Sequence, residues 1–374
     1  MKFMTDTGDL LEAVLHAQKA VAVRTSMPLL EGILLEASGG QVRLVGYDME
    51  IGIQSVIPAD VSESGAIVID ARMLADITRK LPDPLVRFET VSGDREIVQI
   101  RSGRAFFSVN YRAGDNYPVL PEVARENRLV LPQRELQSLI ARTVFACSTD
   151  DSRPALSGCL LESTPDQAEM VAIDGFRLAL ARHHRDTGDE DSEPYAVRSF
   201  LIPGKALREL QQILGDGDAE MYTSENHILF ELGSSRLVSR LTQAEFLNYQ
   251  GIIPTNELSL ITVNTDALRS TIERSMLLLS ASDQTRSPVR FRTHGEDTLE
   301  VYMVTSRGTL DEQVKIQLQG EDIDCTFNPR YIIEALRVVP DERVEMAFKG
   351  GVGPCVLRPV EGDAFAYVIL PLRT

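Results

Sequence analysis

The sequence has no tryptophan, only four cysteines, and aromatic side chains at 6% of its 374 positions. The cysteines (Cys147, Cys159, Cys325 and Cys355) are scattered, with no C-x-x-C pair. That excludes a zinc framework or a stapled secreted scaffold and predicts reduced thiols. No apolar run approaches the roughly 18 residues of a membrane span. The opening MKFMTDTGDLLEAV lacks the apolar core of an export signal, so a cytoplasmic protein is expected. Enzyme signatures are missing as well. The Gly-rich stretch 349–354 lacks the G-K-[ST] ending of a phosphate loop and reads as a hairpin turn. No G-x-G-x-x-G follows a strand, and H-E-x-x-H and G-x-S-x-G do not occur. His16, His227 and His294 have no cysteine or carboxylate at ligand spacing. His183 and His184 sit beside the acidic run Asp186 to Glu193, which reads as a solvated loop. No catalytic residue, metal or cofactor is therefore expected. Positive charge is also short: 38 Lys and Arg stand against 55 Asp and Glu, a net charge of −17. Taken whole, that repels a polyanion.

What is present is an ordinary globular mix, 43% apolar and 25% charged. At about 150 residues per domain, the length suggests two to three domains. Internal repetition is the strongest signal. Ile69 to Ile77, Ile202 to Leu210 and Phe327 to Ala335 each read as a short strand, a turn, a basic residue (Arg72, Lys205, Arg330) and a helix. Apolar positions at i, i+3 and i+7 (Leu74, Ile77, Leu81; Leu207, Leu210, Leu214; Ile332, Ala335, Val339) share one helix face. An alternating strand follows each: LVRFE, AEMYT, VEMAF.

Upstream of each lies a second helical pattern, near Asp9, at Gln133 to Cys147 and at Thr265 to Ser280; Asp9 and Glu12 are spaced like a capping box. The first two copies share P-x-L-x-G-x-L-L-E, at Pro28 to Glu36 and Pro154 to Glu162, and the third keeps Arg286-Ser287-Pro288. The matching prolines lie 126 and 134 residues apart, a domain-length period. The expected class is α+β: three similar domains, 1–125, 126–255 and 256–374, each with two helices on antiparallel strands. Segments 9–24, 72–80, 133–147, 205–213, 266–280 and 330–338 are the expected helices. Together they carry a net charge of +5 and the rest of the chain −22. Surface helices commonly carry Lys and Arg, and that accounts for the figure as well as a weakly basic, salt-sensitive face for a phosphate backbone does.

Several motifs, in order, resemble the bacterial DNA polymerase III beta subunit, the sliding-clamp family. They are the opening MKF, Arg24-x-x-x-Pro28, Ala172 to Ala179 (AIDGFRLA), Phe-Asn-x-x-Tyr at Phe327 to Tyr331, and the ending Tyr367 to Arg373. The resemblance covers essentially the whole chain. It implies a head-to-tail homodimer closed into a ring of six DNA-clamp domains, with twelve helices lining the hole. At about 9 Å between helix axes and about 10 Å of helix thickness, such a ring admits a duplex. A closed heterologous interface makes a ring rather than a filament. Topological retention needs no tight contacts, which reconciles DNA with −17.

The resemblance further implies DNA-backbone contacts from Arg24, Arg72, Arg153 and Lys205. Pro154 and Ala155 stand where some relatives place two tyrosines, so base stacking is not expected there. It implies a pocket for short linear motifs at Leu156, Ile173, Gly175, Phe176, Arg177, Leu178, Leu247, Ile252, Val368, Leu370, Pro371, Leu372 and Arg373. Leu247 replaces a frequent proline. It places Phe107 and Val109 against Leu277 and Leu278 of a second copy. The implied partners are duplex DNA read without sequence preference, the replicative polymerase, the clamp loader, and repair polymerases and other clamp-motif proteins. Two alternatives stay open: a clamp paralogue acting as a repair or tolerance adaptor, and an α+β enzyme with an unrecognised site.

Overall fold

The computed structural model of the chain describes all residues except 92–95, 127, 151, 186–197, 255, 281–286, 352 and 373–374. The acidic run Asp186 to Glu193, Arg286 and Arg373 thus lie outside the described residues. Six α-helices are described: α1 (Thr7–Gln18), α2 (Ala71–Thr78), α3 (Gln133–Ala141), α4 (Gly204–Ile213), α5 (Thr265–Met276) and α6 (Pro329–Leu336). All strand pairings are antiparallel.

Helix α1 ends earlier and starts elsewhere than its sequence pattern suggests. Its N-cap is Asp6, whose carboxylate accepts from the amides of Gly8 and Asp9, rather than a box built on Asp9 and Glu12. After Gln18 the hydrogen-bond ladder tightens to i→i−3 steps at Ala20 and Val21 and stops, so Arg24 lies beyond the helix. Helix α5 likewise closes at Met276, leaving Leu277 to Leu279 as a 3₁₀-like exit.

The chain divides into two compact units: residues 1–136 with 205–241, and residues 137–204 with 242–374. The division falls within α3 and at the start of α4, so the central repeat contributes to both units. The first unit contains a five-stranded sheet (Asp60–Glu63, Lys2–Asp6, Leu85–Val91, Ile97–Ser102, Ala105–Asn110 in spatial order) and a nine-stranded sheet. In the larger sheet Ile51–Pro58 pairs with Ser235–Arg240, which joins strands of the first and central repeats. Its core seats Leu10, Val14 and Ala17 of α1 and Leu74 and Ala75 of α2 on Phe3, Ile33, Leu44, Ile69 and Phe88. Phe3 and Phe88 stack with ring centroids 4.9 Å apart.

The second unit holds a twelve-stranded sheet running from Arg198–Pro203 to Asp324–Phe327. Within it Arg177–His184 of the central repeat pairs with Phe365–Ile369 of the last. The repeated P-x-L-x-G motif has a packing cause. Pro28 and Pro154 each open a 3₁₀ turn, and the glycine that follows starts a strand. A Cβ at Gly32 would lie 2.8 Å from the carbonyl oxygen of Ile69, and one at Gly158 would lie 2.5 Å from that of Ile202. Only glycine lets the strand approach its neighbour there.

Candidate functional site

The second unit builds a groove at the turn between strands Gln167–Ile173 and Arg177–His184. Asp174 Oδ1 accepts from the amides of Phe176 (2.8 Å) and Arg177 (3.0 Å), and Gly175 takes the left-handed φ of +96° that the turn needs. This lifts Phe176 into solvent at 55% exposure. The chain end then completes the wall. Leu370 N donates to Phe176 O at 3.0 Å, and Leu372 exchanges two bonds with Thr326, at 2.9 and 3.0 Å.

The residues expected in the pocket separate into two classes. Leu156, Ile173, Leu178 and Val368 are buried in one apolar cluster with Leu160, Leu180, Tyr249 and Val356, and form its floor. Phe176, Leu247 (50%), Ile252 (38%) and Leu370 (42%) stand exposed, and Pro371 and Leu372 are half-buried. Exposed apolar side chains adjoining in sequence a buried apolar cluster are what an extended peptide segment needs. Covering each such side chain fully is worth about 1.5–3 kcal/mol.

Arg177 is not a free anchor. Its guanidinium donates to Asp174 Oδ2 (2.9 Å), to the carbonyl of Phe145 (2.7 Å) and to Glu334, and lies 4.6 Å above the Tyr331 ring. Phe176 stacks alongside the same Tyr331, with centroids 6.4 Å apart. Tyr331, Phe145, Glu334 and Thr326 are therefore the supports that the pocket residues alone do not name. Tyr331 was visible only as the end of the Phe-Asn-x-x-Tyr motif. Burial, and then the Asp174 carboxylate, hold its phenol above the usual range. At the polar end of the same sheet face, Tyr249 contacts both Glu162 and Glu169; burial and then these two contacts push its phenol well up.

The basic residues behave differently. Arg24 and Arg72 are exposed, and no carboxylate pairs with either among the described residues. Lys205 Nζ lies 2.5 Å from Asp48 Oδ2 and 3.6 Å from Glu50 Oε2. Burial pulls its pKa down, but the bond to Asp48 and the two negative charges outweigh that and raise it. Arg153 bonds Asp150 at 3.2 Å, and its Nη1 is 3.6 Å from the position of a Cβ at Gly175, so it borders the groove turn. Helix cations are widely engaged: Arg79 with Asp76, Arg269 with Asp266, Arg274 with Glu312, Arg337 with Glu273. Asp76, Asp266 and Glu273 are already counted in the +5 read from the sequence, so among these partners only Glu312 and, at Lys205, Asp48 and Glu50 draw on charge outside the helical segments.

Two open strand edges complete the picture. Ala105–Asn110, carrying Phe107 and Val109, ends the five-stranded sheet. Phe107 borders a depression of about 460 Å³ shared with Arg72, Met73, Ile77 and Lys80. In the second unit, among the described residues, 308–315 of strand Gly308–Gly320 pair on one side only, with Thr298–Thr305. Beside them Leu277 is 73% exposed and Leu278 half-buried. The first edge is flanked by Arg101 and Arg104, while the second carries Asp311, Glu312 and Lys315, with Glu312 engaged by Arg274.

Three family models match: the DNA polymerase III beta subunit N-terminal domain over residues 1–121, its central domain over 130–248 and its C-terminal domain over 250–373. The beta sliding clamps of Halalkalibacterium halodurans and Bacillus subtilis are 32% and 31% identical, each alignment covering 100% of both chains. Among solved structures, the DNA polymerase sliding clamp from Bacillus subtilis is similar with a TM-score of 0.90 at 30% identity, covering 100% of this chain and 99% of that one. The sliding clamp from Pseudomonas aeruginosa bound to griselimycin gives 0.89 at 25%, covering 100% of both.

Proposed function

The chain belongs to the DNA polymerase III beta-subunit family, and from that premise we propose that it acts as a ring around duplex DNA that tethers partners by the groove at its C-terminal end. It is a DNA polymerase processivity factor of three clamp domains and a non-catalytic subunit of the polymerase. The domains run over 1–125, 126–255 and 256–374, a division supported by the domain-length repeat. The observation that carries the tethering role is the groove, where Phe176, Leu247, Ile252 and Leu370 remain exposed over a buried apolar floor. Its occupants are short apolar motifs of the replicative polymerase, the clamp loader and repair polymerases.

Ring closure brings Phe107 and Val109 of one protomer against Leu277 and Leu278 of its partner. The open edges support this: two incompletely paired strands meet in a head-to-tail, heterologous contact. Arg24, Arg72, Arg153 and Lys205 face the DNA backbone, giving loose, salt-sensitive, sequence-independent contacts. The cytoplasm is where such a replication protein works. The test is retention on nicked circular DNA after incubation with a clamp loader and ATP, followed by linearisation. Release only upon linearisation supports topological tethering. A dimer that binds the peptide but never loads would overturn it in favour of the adaptor reading.

A further inference from the structure

Outside the groove and the ring edges, one pair of side chains has no role in tethering or closure. Cys147 and Cys159 are both buried, and their Sγ atoms lie 3.4 Å apart. We propose that these two thiols form an oxidation site, which a peroxide converts into an intramolecular disulfide across the base of the loop that carries Arg153 and Leu156. The bond needs a sulfur–sulfur distance of ~2.05 Å, so a closure of about 1.4 Å completes it.

The loop's architecture favours this. Cys147 follows the 3₁₀ turn Val144–Ala146, and Cys159 is the second residue of strand Gly158–Ser163. Ser148 N donates to Leu156 O at 2.7 Å, and Gly204 N donates to Ser157 O at 3.0 Å, so the loop is already pinned at its base. Its outer residues, Thr149, Asp150, Ser152, Arg153 and Pro154, are exposed. A small oxidant reaches the thiols when the exposed outer part of the loop opens locally.

The chemistry balances without a further co-reactant. One thiolate attacks hydrogen peroxide, the O–O bond breaks, and a sulfenic acid and water result; the second thiol attacks the sulfenic sulfur, the S–O bond breaks, and a second water leaves. Two thiols lose two hydrogens and one peroxide becomes two waters. Cys325 and Cys355 provide an internal reference. Both are buried, and burial pushes the Cys325 thiol up to about 12 and the Cys355 thiol well above its ordinary range.

The full-length protein is treated with hydrogen peroxide, quenched, alkylated under denaturing conditions and digested for mass spectrometry. The expected result is loss of alkylation at Cys147 and Cys159 only, a linked peptide joining them with two hydrogens fewer than the reduced pair, and full recovery with a thiol reductant. Cys159→Ser should abolish the linked peptide; where that variant fails to fold, Cys147→Ser replaces it. Full alkylation of all four cysteines at a peroxide dose that oxidises an exposed reference thiol would overturn the proposal. So would a link to Cys325 or Cys355, or sulfinic acids at Cys147 and Cys159 without any link.

Discussion

The groove and the set of helix cations are both assembled from residues far apart in the chain, yet they carry their chemistry in opposite ways. In the groove the supporting groups are saturated and the contact groups are left exposed: Arg177 is held by Asp174, Glu334 and the Phe145 carbonyl so that Phe176 and Leu370 can stand out. Among the cations the reverse holds. Lys205, Arg79, Arg269 and Arg274 are themselves engaged by carboxylates, whereas Arg72 on α2 is exposed and, among the described residues, has no such pair. A site that must grip a short peptide is preorganised. A basic residue held by a carboxylate offers less attraction to a phosphate backbone, since each released counterion strengthens retention.

The strongest break in that comparison is Leu370→Ala combined with Leu372→Ala. Removing a rim and a wall side chain should weaken a clamp-motif peptide by at least about 30-fold in calorimetry, with the dimer intact; undiminished binding would mean that the rim is not the contact surface. Next, Phe107→Glu should turn dimers into monomers in sedimentation, because it sets a charge in an apolar contact; an unchanged dimer removes that residue from the interface. Arg177→Ala leaves the largely buried Asp174 carboxylate without its partner and should cost roughly 3 kcal/mol, read as a lowered unfolding midpoint. A loss of peptide affinity at full stability would instead make Arg177 a direct contact.

A smaller effect concerns alkaline pH. The phenols of Tyr117, Tyr249 and Tyr367 are pushed up chiefly by burial, so the unfolded chain gives up these protons first. Their stabilisation is fully present below about pH 10 and declines above it, by up to ~1.4 kcal/mol per pH unit for each phenol. Denaturant titrations at several pH values should show that slope, and Tyr367→Phe should reduce it. The smallest expected change is Asp48→Asn, which keeps an oxygen for the turn amides of Glu50 and Ile51 but uncouples Lys205. Retention of loaded protein on DNA should then rise, by about twofold at low salt, and lose the gain at high salt. No change would mean that Lys205 does not face the duplex.

What the sequence revealed and what it hid divide along the same physical line. Features repeated by local packing were readable: the glycine of P-x-L-x-G recurs because Gly32 and Gly158 meet the same carbonyl in two copies of one arrangement. The strand–turn–helix runs were readable from spacing, since Leu74, Leu207 and Ile332 all point into cores. The overrun of the first helix to residue 24 follows amphipathic composition past Gln18, where the α-helical ladder gives way to i→i−3 bonds that end at Val21. Within the site, the apolar floor and rim were named by resemblance, but their separation by exposure was not. The ion pairs were illegible, because Lys205 and Asp48, or Arg177 and Glu334, are 157 residues apart and leave no periodic trace.

The pairing of Arg177–His184 with Phe365–Ile369 has a mechanical consequence. The turn at Asp174 to Phe176 sits at one end of this ladder and Leu370 at the other strand's exit, so a load applied to the proposed peptide site pulls on five residue pairs together rather than on a single loop. Tension is thereby spread along a ladder of parallel rungs, which must yield collectively, and a tether of modest affinity can release its cargo before its own wall tears.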